Sequence, residues 1–241
     1  MVPEEKIQEF VKRARAAAGE NLESVILYGS AASGNFDPEF SDINLFCVLR
    51  DTAFGQLAAL GPVATWWHRQ KQPAPLIMTR KELESTADVF TIELLDMKRH
   101  HRVLFGDDVL QGLEIPMNLH RVQVEYELRE KLILLRQQTL LGRKDVYFWD
   151  LLLQSTRSFV TLFRHALIAM GEQAPEDKHE VVRQLAKKVG FDPAAIERVL
   201  AVRAHETTRK ETPVYDVMEK YLAAVEQVTA AVDKALDPRT R

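Results

Sequence analysis

Two short segments carry the residue types from which a phosphate-handling site could be built. They are Leu27-Tyr28-Gly29-Ser30 and, after eleven intervening residues, Asp42-Ile43-Asn44-Leu45. A glycine such as Gly29 lets the backbone approach a phosphate oxygen with no Cβ in the way. Ser30 adds a hydroxyl donor, and a helical turn starting there would aim N–H groups at an anion. Asp42 is a hard oxygen ligand of the kind magnesium takes, with substrate phosphates completing the octahedron. Side chains i and i+2 of a strand share a face, so Asp42 and Asn44 should point together at whatever Gly29-Ser30 holds. Such a layout suits a nucleoside triphosphate and its divalent cation. Asn44 offers that cation a carbonyl oxygen but no charge.

The elements that must position these residues follow from the apolar pattern. Ser24 to Tyr28 is β-branched and aromatic, a buried strand, and Ile43 to Leu49 is a second. Between them Gly34-Asn35-Phe36-Asp37-Pro38 is dense in turn formers. Before the first strand, Ile7, Phe10, Val11 and Ala14 mark one face of a helix from about Glu4 to Ala18. Asp51-Thr52 should cap a helix running towards Gln70. Leu76-Ile77-Met78 reads as extended, and Thr79 with Glu82 forms a capping box for the next helix. Val89 to Ile92 reads as extended and Glu93 to Arg102 as helical, before Gly106-Asp107-Asp108 breaks the chain.

After Pro116 the texture changes. Long helical periodicities run over Val122–Leu141, Tyr147–Met170, Lys178–Val189, Pro193–Arg203 and Val214–Leu236, separated by short Gly- or Pro-bearing loops. The expected architecture is α/β (α+β): a small mixed-sheet domain over residues 1–117, then an all-α helical bundle over 118–241.

Composition narrows the classes further. With 46% hydrophobic and 28% charged residues the chain is ordinary for a globular protein. A net charge of -3 gives no global basic signature, which disfavours nucleic acid as a partner. The single Cys47 cannot form an internal disulfide. With no apolar run long enough for a bilayer and no N-terminal signal, the expectation is a cytoplasmic protein. Apolar faces on the bundle are compatible with a homodimer.

Gly29-Ser30, the spacer and Asp42-Ile43-Asn44 resemble the signature of the nucleotidyltransferase (DNA polymerase beta-like) superfamily, in which Gly-Ser precedes an Asp-hydrophobic-Asp pair. Leu27-Tyr28 before the motif, and Phe36, Pro38 and Ser41 within the spacer, fit as well. A motif domain followed by a helical bundle is similar to the bacterial two-domain members, including the aminoglycoside nucleotidyltransferases. That resemblance implies transfer of a nucleoside monophosphate from an NTP to a hydroxyl acceptor with Mg2+. Gly29 and Ser30 would bind the nucleotide, Asp42 and Asn44 would face the metal, and the helical half would shape the acceptor pocket.

Asn44 stands where the family has its second metal-binding carboxylate. The family also carries a third acid on a later strand, often as the base, and Leu76-Ile77-Met78-Thr79 contains none. Glu93 is the nearest acid in a suitable context and becomes, with Asp42, the candidate catalytic pair. The competing expectation is a degenerate member that binds nucleotide or a partner protein without catalysis. Arg157 and Arg164, seven apart on one helix, are read either as surface salt-bridging groups or as triphosphate contacts. The run Arg99-His100-His101-Arg102 is read as a solvated basic helix face.

Overall fold

Strands β1 (Leu22–Tyr28) and β2 (Asn44–Leu49) are apolar almost throughout because helices cover both of their faces. They were located in a computed structural model that describes residues 2–34 and 36–236, so the loop residue Asn35 lies outside the described residues. The chain divides into two units, Met1–Met117 and Asn118–Arg241.

In the first unit β3 (Leu76–Thr79) and β4 (His101–Gly106) complete a mixed sheet of order β3-β2-β1-β4. β1 runs antiparallel to β2 and β4, and β2 runs parallel to β3. Period-2 alternation sends the side chains to two separate cores. Val25, Leu27, Leu45, Cys47 and Leu49 pack with Phe10 of α1 (Glu4–Ala18) and Trp67 of α2 (Phe54–Arg69). Ile26, Phe46 and Val48 pack instead with Leu83 of α3 (Arg80–Ser85), Leu94 and Met97 of α4 (Thr91–Arg99), and Leu110.

Gly106 closes β4 at φ +74°, and a Cβ there would meet the Glu23 carbonyl oxygen at 1.8 Å. Only glycine permits that approach of β4 to β1. Burial pushes the Cys47 thiol up to about 12, which makes it an inert packing group.

Three local expectations are corrected. The basic run is not a helix face: α4 ends at Arg99, and His101 opens β4, paired with Tyr28 of the central strand. Cross-strand pairing to β1 outweighs the helical periodicity that ran to Arg102. Val89 to Ile92 is not extended. The N–H groups of Val89 and Phe90 both donate to the Thr86 carbonyl, and Thr91 begins α4. Finally, α2 starts at Phe54 after Ala53. Asp51 sits ahead of it in a turn, its carboxylate accepting from the Ala53 N–H at 2.9 Å. The capping box of α3 does form, with Thr79 and Glu82 bonding reciprocally.

The second unit is helical: α5 (His120–Leu141), α6 (Asp145–Ala169), α7 (Lys178–Val189), α8 (Ala194–Arg203) and α9 (Val214–Leu236). α6 is the central helix and touches each of the other four. Its Phe148, Trp149, Leu152, Phe159 and Phe163 are buried, and Phe159 lies edge-on to the fully buried Tyr221 of α9. The small mixed sheet followed by an all-α unit is the fold class expected from the sequence. No helix among the described residues is long and apolar enough to cross a membrane.

Candidate nucleotide site

β1 delivers its last residue, Tyr28, to the end of the sheet, and the chain then turns sharply through Gly29 at φ +74°. A side chain at that φ is disfavoured, so glycine is what the turn requires. Residues Gly29–Ala31 form one 3-10 turn, in which the Gly29 carbonyl accepts from Ala32 at 3.0 Å and Ser33 at 3.1 Å. The Gly-Ser pair therefore sits at the mouth of a short helical turn directly after a central strand.

The return to β2 is fixed by local hydrogen bonds. The Asp37 carbonyl accepts from the Ser41 N–H at 2.7 Å, and the Ser41 hydroxyl accepts from the Asp37 N–H at 3.1 Å. Just beyond, the Gln72 side-chain carbonyl accepts from the Ile43 N–H at 2.8 Å. Asp42 lies between these two anchors and is exposed. Gln72 carries no motif signal. Its role exists only because the end of α2 returns to the start of β2.

Ile43 is fully buried in the α1/α2 core with Leu45. Asn44, one residue on, falls by alternation on the opposite face with Phe46 and Val48, the face that α4 covers. Asn44 pairs in register with Tyr28, and Tyr28 pairs on its other side with His101. Tyr28 packs against the same α4-side core. Burial, and after it the charge of Glu93, raise its hydroxyl pKa.

Glu93, an exposed acid in the first turn of α4, is the charge that acts on Tyr28, the strand position paired with Asn44. A carboxylate in a first turn is also favoured by the helix dipole. Tyr28 and Asn44 thus lie side by side at one end of the sheet face on which α4 packs, with Asp42 two residues upstream of Asn44. Asp96, one turn on from Glu93, is half-buried.

His101 extends this edge. Its Nε2 lies 3.1 Å from both carboxylate oxygens of Asp108, and its Nδ1 lies 3.2 Å from the Lys98 carbonyl. Burial alone would raise the Asp108 pKa, but the contact with His101 and N–H bonds from Leu110 and Gln111 win and hold it low. The pair ties β4 to the following loop. The β-branched and aromatic run Val103-Leu104-Phe105 was the available signal for the strand itself.

Among the described residues no three His, Cys, Asp or Glu side chains gather as a metal cluster. Any cation here would depend on Asp42, the Asn44 amide oxygen, Glu93 and oxygens brought by its ligand. All are hard oxygen donors, and magnesium is commonly held by one or two carboxylates plus substrate phosphates. In the helical unit Arg157 and Arg164 are half-buried on α6.

Residues 5–99 match a family model described as a nucleotidyltransferase domain. A search of curated proteins finds no match. Among solved structures, the chain is similar to spectinomycin adenyltransferase AAD(9) from Enterococcus faecialis, crystallised with ATP and spectinomycin. The two share 17% identity and a TM-score of 0.57 over 92% of this chain and 99% of that chain. At that identity the likeness speaks to the fold. It spans the mixed-sheet and helical parts together. The family-model match takes in the Gly29-Ser30 turn, Asp42, Asn44 and Glu93, so these candidate residues all fall within the stretch that resembles a nucleotidyltransferase domain.

Proposed function

We propose that this protein transfers a nucleoside monophosphate from an NTP to a hydroxyl group of a small-molecule acceptor. The observation that supports the reading most is the positive-φ Gly29-Ser30 turn at the end of β1, beside the paired Tyr28 and Asn44, in a stretch that matches a nucleotidyltransferase domain model. The ATP and spectinomycin in the similar structure support an adenylated, hydroxyl-rich acceptor.

In this scheme Gly29 and Ser30 hold the triphosphate. Asp42 and the Asn44 amide oxygen would hold a bound metal, and Glu93 takes the proton of the acceptor hydroxyl. The acceptor oxygen attacks the α-phosphorus, the bond to the bridging oxygen of the β-phosphate breaks, and pyrophosphate leaves. A bound magnesium ion would neutralise charge on the phosphate oxygens as that bond breaks. Because Asn44 adds no charge, Asp42 carries most of the protein's share of this neutralisation.

The test is pyrophosphate release from purified protein with magnesium, each of the four common NTPs, and a panel of aminocyclitol and aminoglycoside acceptors including spectinomycin. Release should depend on one acceptor class. Asp42→Ala should lower it by at least about 100-fold, the scale of losing a principal charge-stabilising group. One observation favours a second reading, nucleotide binding without chemistry: no third acid joins the group among the described residues. Retained nucleotide affinity with no pyrophosphate from any acceptor would select it.

A further inference from the structure

α5 is apolar on two opposite sides. Val124, Leu128, Leu132 and Leu135 face the core of the helical unit and are buried. On the far side Val122, Tyr126, Ile133 and Leu140 are 57%, 62%, 52% and 80% exposed. At 3.6 residues per turn these four fall within about 40° of arc, a single outward stripe along the helix. A helix covered on one side only should carry polar residues there. Exposed apolar side chains repeated along one helix face, here interleaved with Arg129 and Arg136, suit an interaction site.

The spacing of the stripe says what fits it. Tyr126, Ile133 and Leu140 are seven apart, and Val122, Arg129 and Arg136 are seven apart, offset by three. That is the a/d pattern of a coiled-coil seam. Arg129 is ion-paired to Glu125 at 2.7 Å and to Asp233 of α9 at 3.1 Å, and Arg136 to Glu226 of α9 at 2.7 Å. Neither arginine would therefore enter an interface as an uncompensated charge.

The six seam positions are also self-complementary. If the helix is laid antiparallel on a copy of itself with Val122 against Leu140, Arg129 falls against Ile133 and Arg136 against Tyr126. Every a position then meets a d position, the requirement of a two-fold interface. The guanidinium of Arg136 would lie over the Tyr126 ring, a favourable cation–π contact. It would also come within one turn of Glu130, an exposed acid with no ion pair among the described residues.

We propose that the outer face of α5 is a homodimer interface in which two copies of the helix pair antiparallel, Val122 of each against Leu140 of the other. The test is the mass of the full chain by light scattering after size exclusion, from 1 to 100 µM loaded protein as a practical range (about the span of weak to moderate dimers). The expected result is twice the chain mass, shifting to the single-chain mass in Tyr126→Glu/Ile133→Glu with an unchanged far-UV helix signal. Orientation is read separately by oxidation of cysteine variants. Val122→Cys/Leu140→Cys should form interchain disulfides while neither single variant does, because the two sites are about 27 Å apart along one helix. A wild-type monomer throughout the range overturns the proposal. So does a dimer that survives the double-Glu variant, or cross-linking by Val122→Cys alone.

Discussion

The two units treat their polar residues in opposite ways. In the helical unit, polar side chains go into the core and satisfy one another. His120 and His165 are both buried, with Nε2 and Nδ1 2.9 Å apart. The Tyr221 hydroxyl meets those of Ser155 at 3.1 Å and Thr156 at 3.3 Å. In the sheet unit the core on each face is almost wholly apolar. Its notable polar groups stand where the strands end: Tyr28 and Asn44 at the ends of β1 and β2, with Asp42 and Glu93 beside them. Buried polar groups that pair internally specify packing, since leaving any of them unpaired is costly. Oxygen-bearing side chains at a strand end add little to packing and, on the proposed function, serve to meet a ligand. The same residue types therefore point to architecture in one unit and to chemistry in the other.

That contrast can be broken most directly at Glu93. If it serves chemistry, Glu93→Gln should lower pyrophosphate release by about 100-fold or more, the usual scale of a positioned base. Nucleotide affinity and thermal midpoint should hold. A drop in midpoint without a specific kinetic loss would move Glu93 into the structural class.

Tyr221 should behave in the reverse manner. Tyr221→Phe removes a hydroxyl shared with Ser155 and Thr156 and should cost about 1–2 kcal/mol at neutral pH, measured by urea unfolding. Burial raises its hydroxyl from 10.0 to about 12. A raised tyrosine keeps its full contribution below pH 10 and loses it as pH climbs towards 12, because the unfolded chain ionises first. Stability should thus fall over that window in the native chain. The fall should be shallower in Tyr221→Phe, with the part due to the Cys47 thiol remaining.

A smaller effect is expected at Asn44. Restoring a carboxylate with Asn44→Asp should tighten Mg2+ in the presence of nucleotide by several-fold (about 1 kcal/mol on the affinity scale). Isothermal titration would read this directly. An unchanged affinity would mean that the side chain does not address the cation. The smallest effect belongs to the exposed pair between Arg102 and Glu4, at 2.8 Å and about half-exposed on both sides. Glu4→Gln should shift unfolding by no more than ~0.5 kcal/mol.

Much of this was legible without coordinates because the signals are local. The β-branched run of β1, the Thr79–Glu82 capping box and the long helical periods after Pro116 each arise within a few turns of chain. Two of the three corrected expectations share one cause. Residues 89–102 carried both helical and extended signals, and only the vacant edge of β1 decided that His101–Gly106 would be a strand. Gln72, which anchors Ile43 from 29 residues away, and His101, which holds Asp108, are partners that no period or motif announces.

By itself the sequence determined the kind of site: glycine where the backbone must turn at positive φ, an aspartate and an asparagine spaced to share a strand face, and one domain of sheet before one of helices. Such features follow from backbone sterics and side-chain periodicity, which act over a few residues. The tertiary structure alone decided which acid stands near the strand end. α4 packs on the face of the sheet that carries Tyr28 and Asn44, and that packing brings Glu93 close enough to raise the Tyr28 hydroxyl. Burial and charge act through space, and the chain between Asp42 and Glu93 carries no record of how it will fold back.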